Sequence, residues 1–166
     1  PSITVSIINY RTGPMTLDCV RSVLSDAGRR PVHVVVVDNR SDDGSADLIG
    51  DWIAAQHPAV PVTLVRSATN SGYSGGHNQG MSAMPADHYL ILNSDALLRP
   101  GFFDALHAAI ARHPDAGMLV PRLEGEDGHV QVNCFRFAGP TSEFIRGAMS
   151  GPVTKLLKHR VVALEA

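Results

Sequence analysis

The chain has 166 residues, a length that suits one domain with a core of its own. Apolar residues make up 44% and charged residues 18%, which excludes a disordered chain, and a net charge of −2 gives no basis for nucleic-acid binding. No apolar run approaches the roughly 20 residues that span a membrane.

Pro1 leads directly into "ITVSII" from Ile3, which predicts a first strand and no signal peptide. Leu17, Val20, Val23, Leu24 and Ala27 then follow a 3.6-residue period, with Pro14 near the start and Gly28 at the end, so a helix follows. Cys19 falls on its apolar face and is expected in the core. With Cys134 it shows no metal-ligand spacing, and both are read as reduced cysteines of a cytoplasmic protein. "VHVVVV" from Val32 is nearly all apolar, as expected of a strand covered on both faces. Leu48, Ile49, Trp52 and Ile53 predict a second helix, stopped before Pro58. "VTLV" from Val62 is a third strand, and a third helix begins within "YSGGHNQGMSAM". "YLIL" from Tyr89 is a fourth strand. Phe102, Phe103, Leu106, Ala109 and Ile110 form the clearest helix, opened by Pro100 and closed before Pro114. "GMLV" from Gly117 is expected to be a fifth strand. Strand starts fall 27 to 30 residues apart, the length of a strand-helix-strand crossover. The chain therefore reads as an α/β protein: one domain over residues 1–166, with a mostly parallel sheet and helices on both faces, of Rossmann-like architecture.

In such sheets ligands bind beyond the carboxyl ends of the strands. The first strand runs into Asn9-Tyr10-Arg11, the second into Asp38-Asn39-Arg40-Ser41-Asp42, the third is followed by Asn70 to Asn78, and the fourth ends in Asn93-Ser94-Asp95. Turn chemistry alone accounts for some polar residues at strand ends. Four rich clusters on one edge favour a site. Asp38 has the chemistry to accept the imide N–H of a uracil or thymine, or to cap its own turn. Tyr10 offers a flat face for a base. The glycine-rich segment permits close backbone approach and presents N–H groups at a helix start. Asp95 is a hard oxygen ligand for a divalent cation, with Asn93 as a neutral oxygen beside it. His77 lies within reach of a phosphate in this reading, but a locally satisfied histidine is the simpler expectation.

In this order and spacing, "VSIINYRTG", "VVVVDNRSDDGS", "NSGYSGGHNQGM" and "YLILNSDALLRPG" resemble family 2 glycosyltransferases of the GT-A fold, nearest the bacterial rhamnosyltransferase-like subgroup. "VPRLEGEDGHVQ" is similar to that subgroup's segment after the fifth strand. The resemblance implies transfer of a sugar from a nucleotide-diphosphate donor, UDP- or dTDP-linked, to an acceptor hydroxyl with inversion, in cell-surface polysaccharide synthesis. It implies that Asn9 and Tyr10 line the base pocket, Asp38 reads the base edge, Gly72 lies near the nucleotide and Asn78 braces that loop. It makes Asn93-Ser94-Asp95 the Asp-X-Asp-type motif, with Asp95 as the ligand of Mg2+ or Mn2+ and a saccharide or lipid-linked molecule as acceptor.

The family's later acidic motif, which supplies the general base, has no match after Arg136. Glu143 and Glu165 are isolated, so no catalytic residue is assigned. A piece of a longer enzyme and a shortened protein both fit, and a binding module without transfer activity stays open. A sugar-phosphate nucleotidyltransferase would want a basic glycine loop after the first strand, which "NYRTGP" does not supply. A dinucleotide-dependent oxidoreductase would want G-x-G-x-x-G there. The tail "VTKLLKHRVVALEA" is expected to pack on its own domain or on another chain, with peripheral docking on a membrane as the second reading. An exposed sheet surface leaves a homo-oligomer open.

Overall fold

The structure, a computed structural model, describes residues 1–125, 127–131, 134–135 and 163–164. The chain forms two compact units, Pro1–Arg112 and His113–Ala166. Four parallel strands build the first unit: β1 (Ile3–Asn9), β2 (Val32–Asp38), β3 (Val62–Arg66) and β4 (His88–Leu92), in the spatial order β3-β2-β1-β4. Between and after them lie α1 (Gly13–Ala27), α2 (Ser45–Gln56), α3 (Gly72–Ala83) and α4 (Phe102–Arg112). The sheet grows one way from β1 to β2 and β3, then the chain crosses back to place β4 on the other side of β1. The strand order reverses at β1, and a crevice opens between the carboxyl ends of β1 and β4.

The alternation along β1 decides what each sheet face meets. Ile3, Val5 and Ile7 join Leu17, Val20 and Val23 of α1, Ile49 of α2 and Phe103 of α4 in one buried core. Burying each such side chain contributes roughly 1.5–3 kcal/mol. Ser6 and Ile8 point to the opposite face, which α3 covers. That helix lies unusually close to the sheet because two of its contact positions are glycines. A Cβ at Gly80 would stand 2.4 Å from Ser6 Oγ, and one at Gly76 would stand 2.8 Å from Ile8 Cδ1. Within α3, these glycines serve approach to the sheet. At the far end of α1, Asp26 accepts the backbone N–H groups of Gly101 (2.6 Å) and Phe103 (2.8 Å) and so caps the start of α4.

Among its described residues the second unit holds two short antiparallel pairs, β5 (Leu123–Glu124) with β6 (Val130–Gln131), and β7 (Cys134–Phe135) with β8 (Ala163–Leu164). The fifth strand expected at Gly117 does not form: residues 117–120 carry no strand, and Met118 is 81% exposed. An apolar run becomes a strand only where a neighbour pairs with it, and no described strand does so here. Apart from Ala163 and Leu164 at β8, the tail lies outside the described residues, as do Glu143 and Glu165. Among the described residues no helix is long and apolar enough to cross a membrane.

Candidate functional site

Three of the four polar clusters meet at the carboxyl edge through one buried residue. Asn9, the last of β1, is fully buried and stands opposite Asp38 of β2 in the parallel register. Its Nδ2 donates to Asp38 Oδ1 (2.7 Å), Ser41 Oγ (3.0 Å) and Ser45 Oγ (2.7 Å). Its Oδ1 accepts from Thr16 Oγ1 (3.1 Å) and from Thr12 N and Oγ1 (3.3 Å each). With that proton given to Asn9, Thr12 Oγ1 is left to accept from Ser94 Oγ (3.3 Å). A continuous thread thus runs from β2 through β1 to the end of β4. Asn9 spends both ends of its amide inside the chain, so its effect on a ligand passes through the residues it holds.

Two clefts open on this edge. The first, of about 270 Å³, lies between the ends of β2 and β3 and the start of α2, and Asp38, Arg40, Asp42, Asp47 and Arg66 line it. Asp38 is only 5% exposed. Its Oδ1 is taken by Asn9 and by Ser41 Oγ (2.5 Å), while among the described residues Oδ2 accepts only Ser41 N–H at 3.2 Å and keeps acceptor capacity. The second cleft, of about 300 Å³, occupies the β1/β4 crevice and brings together Tyr10, Thr12, Tyr73, His77, Asn93 and Asp95. Asp38 and Asp95 therefore face separate clefts joined by the Asn9 thread, and Gly72 and Asn78 line neither.

Asp95 is exposed and has no hydrogen-bond partner among the described residues. Asn93 is exposed, and its Oδ1 accepts the Tyr73 hydroxyl at 2.8 Å, a bond that spans the crevice from α3 to β4. No group of three or more His, Cys, Asp or Glu side chains suited to a metal occurs among the described residues. One free carboxylate with a neutral amide beside it does fit a cation that takes its other ligands from phosphate oxygens and water. Cys19 adds nothing to such a site. Burial pushes its thiol up to about 12, with the Asp95 charge adding to the effect, so it stays protonated and donates to Asn93 O (3.4 Å).

His77 is 4% exposed and only half satisfied: Nδ1 pairs with Ser6 Oγ at 2.9 Å, while Nε2 has no partner among the described residues. Burial lowers its pKa, which keeps the ring neutral at pH 7. The loop before α3 is braced by Asn39, whose Oδ1 accepts Ser71 N–H (3.0 Å) and whose Nδ2 donates to Asn70 Oδ1 (2.8 Å). Asn78, expected to do this, is exposed, and its side chain makes no hydrogen bond among the described residues. Sequence reasoning missed Thr12, Thr16, Ser41 and Ser45 as members of the thread. Their signal was their spacing around Asn9 and Asp38 at a helix start, where hydroxyls usually read as caps.

A family model described as Glycosyl transferase family 2 matches residues 4–143. The chain belongs to that family. Its relatives include an N-acetylglucosaminyl-diphospho-decaprenol L-rhamnosyltransferase of Mycobacterium tuberculosis, 30% identical over 158 residues, covering 89% of this chain and 48% of the relative. Another is the succinoglycan biosynthesis protein ExoO of Rhizobium meliloti, 31% identical over 120 residues, covering 72% of this chain and 32% of the relative. The chain spans about half the length, or less, of these curated relatives. Among solved structures, the mannosyltransferase PcManGT of Pyrobaculum calidifontis, in complex with GDP-Man and Mn2+, superposes with a TM-score of 0.60 at 27% identity, covering 69% of this chain and 33% of that one. S. aureus TarS 1–349 gives 0.60 at 17% identity, covering 74% and 39%, which supports the GT-A fold alone.

Proposed function

We propose that this chain is the donor side of a sugar transferase, binding a nucleotide-diphosphate sugar along the carboxyl edge of its sheet. The observation that carries the reading is the convergence of Tyr10, Asn93 and Asp95 on the β1/β4 crevice, with Asp38 held in the adjoining cleft by the Asn9 thread. In this reading the base lies toward Asp38 and Tyr10, and the diphosphate lies toward Asp95. A divalent cation, Mg2+ or Mn2+, would be held by Asp95 with Asn93 beside it, and when bound would offset charge on the diphosphate leaving group. The chain's own share is to position the base and hold the carboxylate open to the crevice. Asn93 Oδ1 keeps a second lone pair for the cation while it accepts the Tyr73 hydroxyl.

The base is uracil or thymine in this proposal, because Asp38 Oδ2 is a spare acceptor facing the cleft. The mycobacterial relative's name describes a lipid-linked acceptor, and a lipid-linked saccharide is proposed here too, with inversion at the anomeric carbon and the protein resting against the cytoplasmic membrane face. The part of the relatives' length that this chain does not span would then supply acceptor binding and the general base. Titration calorimetry with UDP, dTDP and ADP, with and without Mn2+, tests the donor reading. UDP or dTDP should bind more tightly than ADP, Asp38→Ala should erase that preference, and Asp95→Ala should erase the gain from Mn2+. Equal affinity for all three nucleotides in the wild-type chain refutes it.

A further inference from the structure

Arg11, two residues past the end of β1, sits at φ +61. Left-handed backbone is a region that glycine and asparagine enter readily and a long side chain enters at a cost. The residue is nevertheless tightly placed. Its N–H donates to Ser41 Oγ and its Nε to Ser41 O, each at 3.1 Å, and its guanidinium carbon lies 5.3 Å from the centroid of the Tyr10 ring. With Nε anchored and one face against Tyr10, both terminal nitrogens remain without a hydrogen-bond partner among the described residues. Asp43 feels the Arg11 charge, but its carboxyl is held low first by the Ser45 hydroxyl and only last by Arg11. Ser41 therefore carries Arg11 on one side while its Oγ donates to Asp38 Oδ1 on the other. Ser41 thus links Asp38, which lines the first cleft, to Arg11, which lines neither cleft itself.

We propose that Arg11 reads the base of the bound nucleotide together with Asp38, donating to a ring carbonyl beside the N–H that Asp38 accepts, with Tyr10 as the flat face against the ring. This rests on the nucleotide-sugar reading above and adds a specificity residue to it. A carboxylate beside a guanidinium complements an edge that offers N–H next to C=O, which uracil and thymine present and adenine does not. The strain at Arg11 is then retained for recognition rather than for stability.

Arg11→Asn tests this, because asparagine tolerates the left-handed backbone and removes the guanidinium. Its urea midpoint should be unchanged or raised, since relief of strain offsets the lost contacts to Ser41 and Tyr10. Titration calorimetry with UMP, UDP and AMP supplies the second readout. The wild type should prefer UMP to AMP. Arg11→Asn should lose about tenfold or more in affinity for UMP and for UDP alike, leaving little preference over AMP, the range expected for deleting a charged hydrogen bond. A midpoint lowered by more than about 1 M makes Arg11 a structural residue and overturns the inference. A loss seen with UDP but not UMP places the guanidinium on phosphate and overturns it as well. Full retention of affinity and preference in the variant, with the wild type selective, sinks the role of Arg11 and leaves the donor reading standing. A wild type that binds no nucleotide brings down both.

Discussion

Replacing Asn9 with aspartate should turn the centre of the polar thread against itself. The substitution is isosteric, but it exchanges an NH2 that donates to Asp38 Oδ1, Ser41 Oγ and Ser45 Oγ for an oxygen that only accepts. Two carboxylate oxygens would then face one another across the 2.7 Å now spanned by the amide hydrogen bond. At an effective dielectric of about 20, two unit charges that close repel by about 6 kcal/mol. The pair has a cheaper course, which is to take up one proton. Protonating an ordinary aspartate at pH 7 costs about 3 pK units, or about 4 kcal/mol, and that sets the size of the loss. The folded variant binds a proton that the unfolded chain does not, so its stability rises as pH falls, by about 1.4 kcal/mol per unit between pH 7 and about pH 4. Urea titrations of wild type and Asn9→Asp across that range read the difference directly. Asn9→Ala, which destabilises by leaving polar groups unpaired, should show no such recovery. A variant of wild-type stability at pH 7, or one whose deficit does not shrink toward pH 4, would refute the geometry assigned to Asn9.

Gly80→Ala should cost about 1–3 kcal/mol in urea unfolding, because its Cβ would press on Ser6 Oγ at 2.4 Å and push α3 from the sheet; a neutral substitution would show that the helix packs less closely than described. His77 and His33 both have pKa values lowered by burial from the ordinary 6.5, so their contribution to stability is present above about pH 6.5 and fades as pH falls below it. His77→Gln should flatten part of that acid slope and leave the share of His33, and a slope identical to wild type would remove His77 as its source. A radiolabelled sugar-transfer assay on this chain should give turnover at least about 10²- to 10⁴-fold below that of a full-length relative, the range lost with a general base. Comparable turnover would place the base within these residues, with Asp127 and Glu143 the first to mutate.

Much of the fold is legible in the residues themselves. "VHVVVV" is readable as a doubly covered strand because only that environment buries Val34, Val35, Val36 and Val37 together, and all four are fully buried. The α1 period is equally plain, with Gly28 at φ +60 where the helix stops. The run at Gly117 misleads because a four-residue apolar stretch says nothing about whether a partner strand exists. At the site, Asp95 and Tyr10 share a cleft that the strand-end pattern anticipates. The division of the edge into two clefts is invisible in the sequence, as is the gathering of the Thr12, Thr16 and Ser41 hydroxyls around Asn9. The glycine-rich segment is the subtler case. Glycine marks close approach, but nothing in "YSGGHNQG" tells whether a ligand or a strand does the approaching, and for Gly76 and Gly80 it is β1.

The burial of β2 on both faces also shapes how the molecule behaves when it is not folded. Val32 to Val37 carry no proline and no fixed charge, and the strand finds its proper neighbours only when Ile3–Asn9 and Val62–Arg66 arrive on either side. Until then it is a short β-prone segment open to the same segment of another molecule. Heating populates that species at the temperature where hydrophobic association is strong, so thermal melts of this chain should depend on scan rate and fail to retrace on cooling. Urea solvates the valines as it exposes them. Reversible denaturant titration at low protein concentration is accordingly the condition under which the free energies of its variants are well defined.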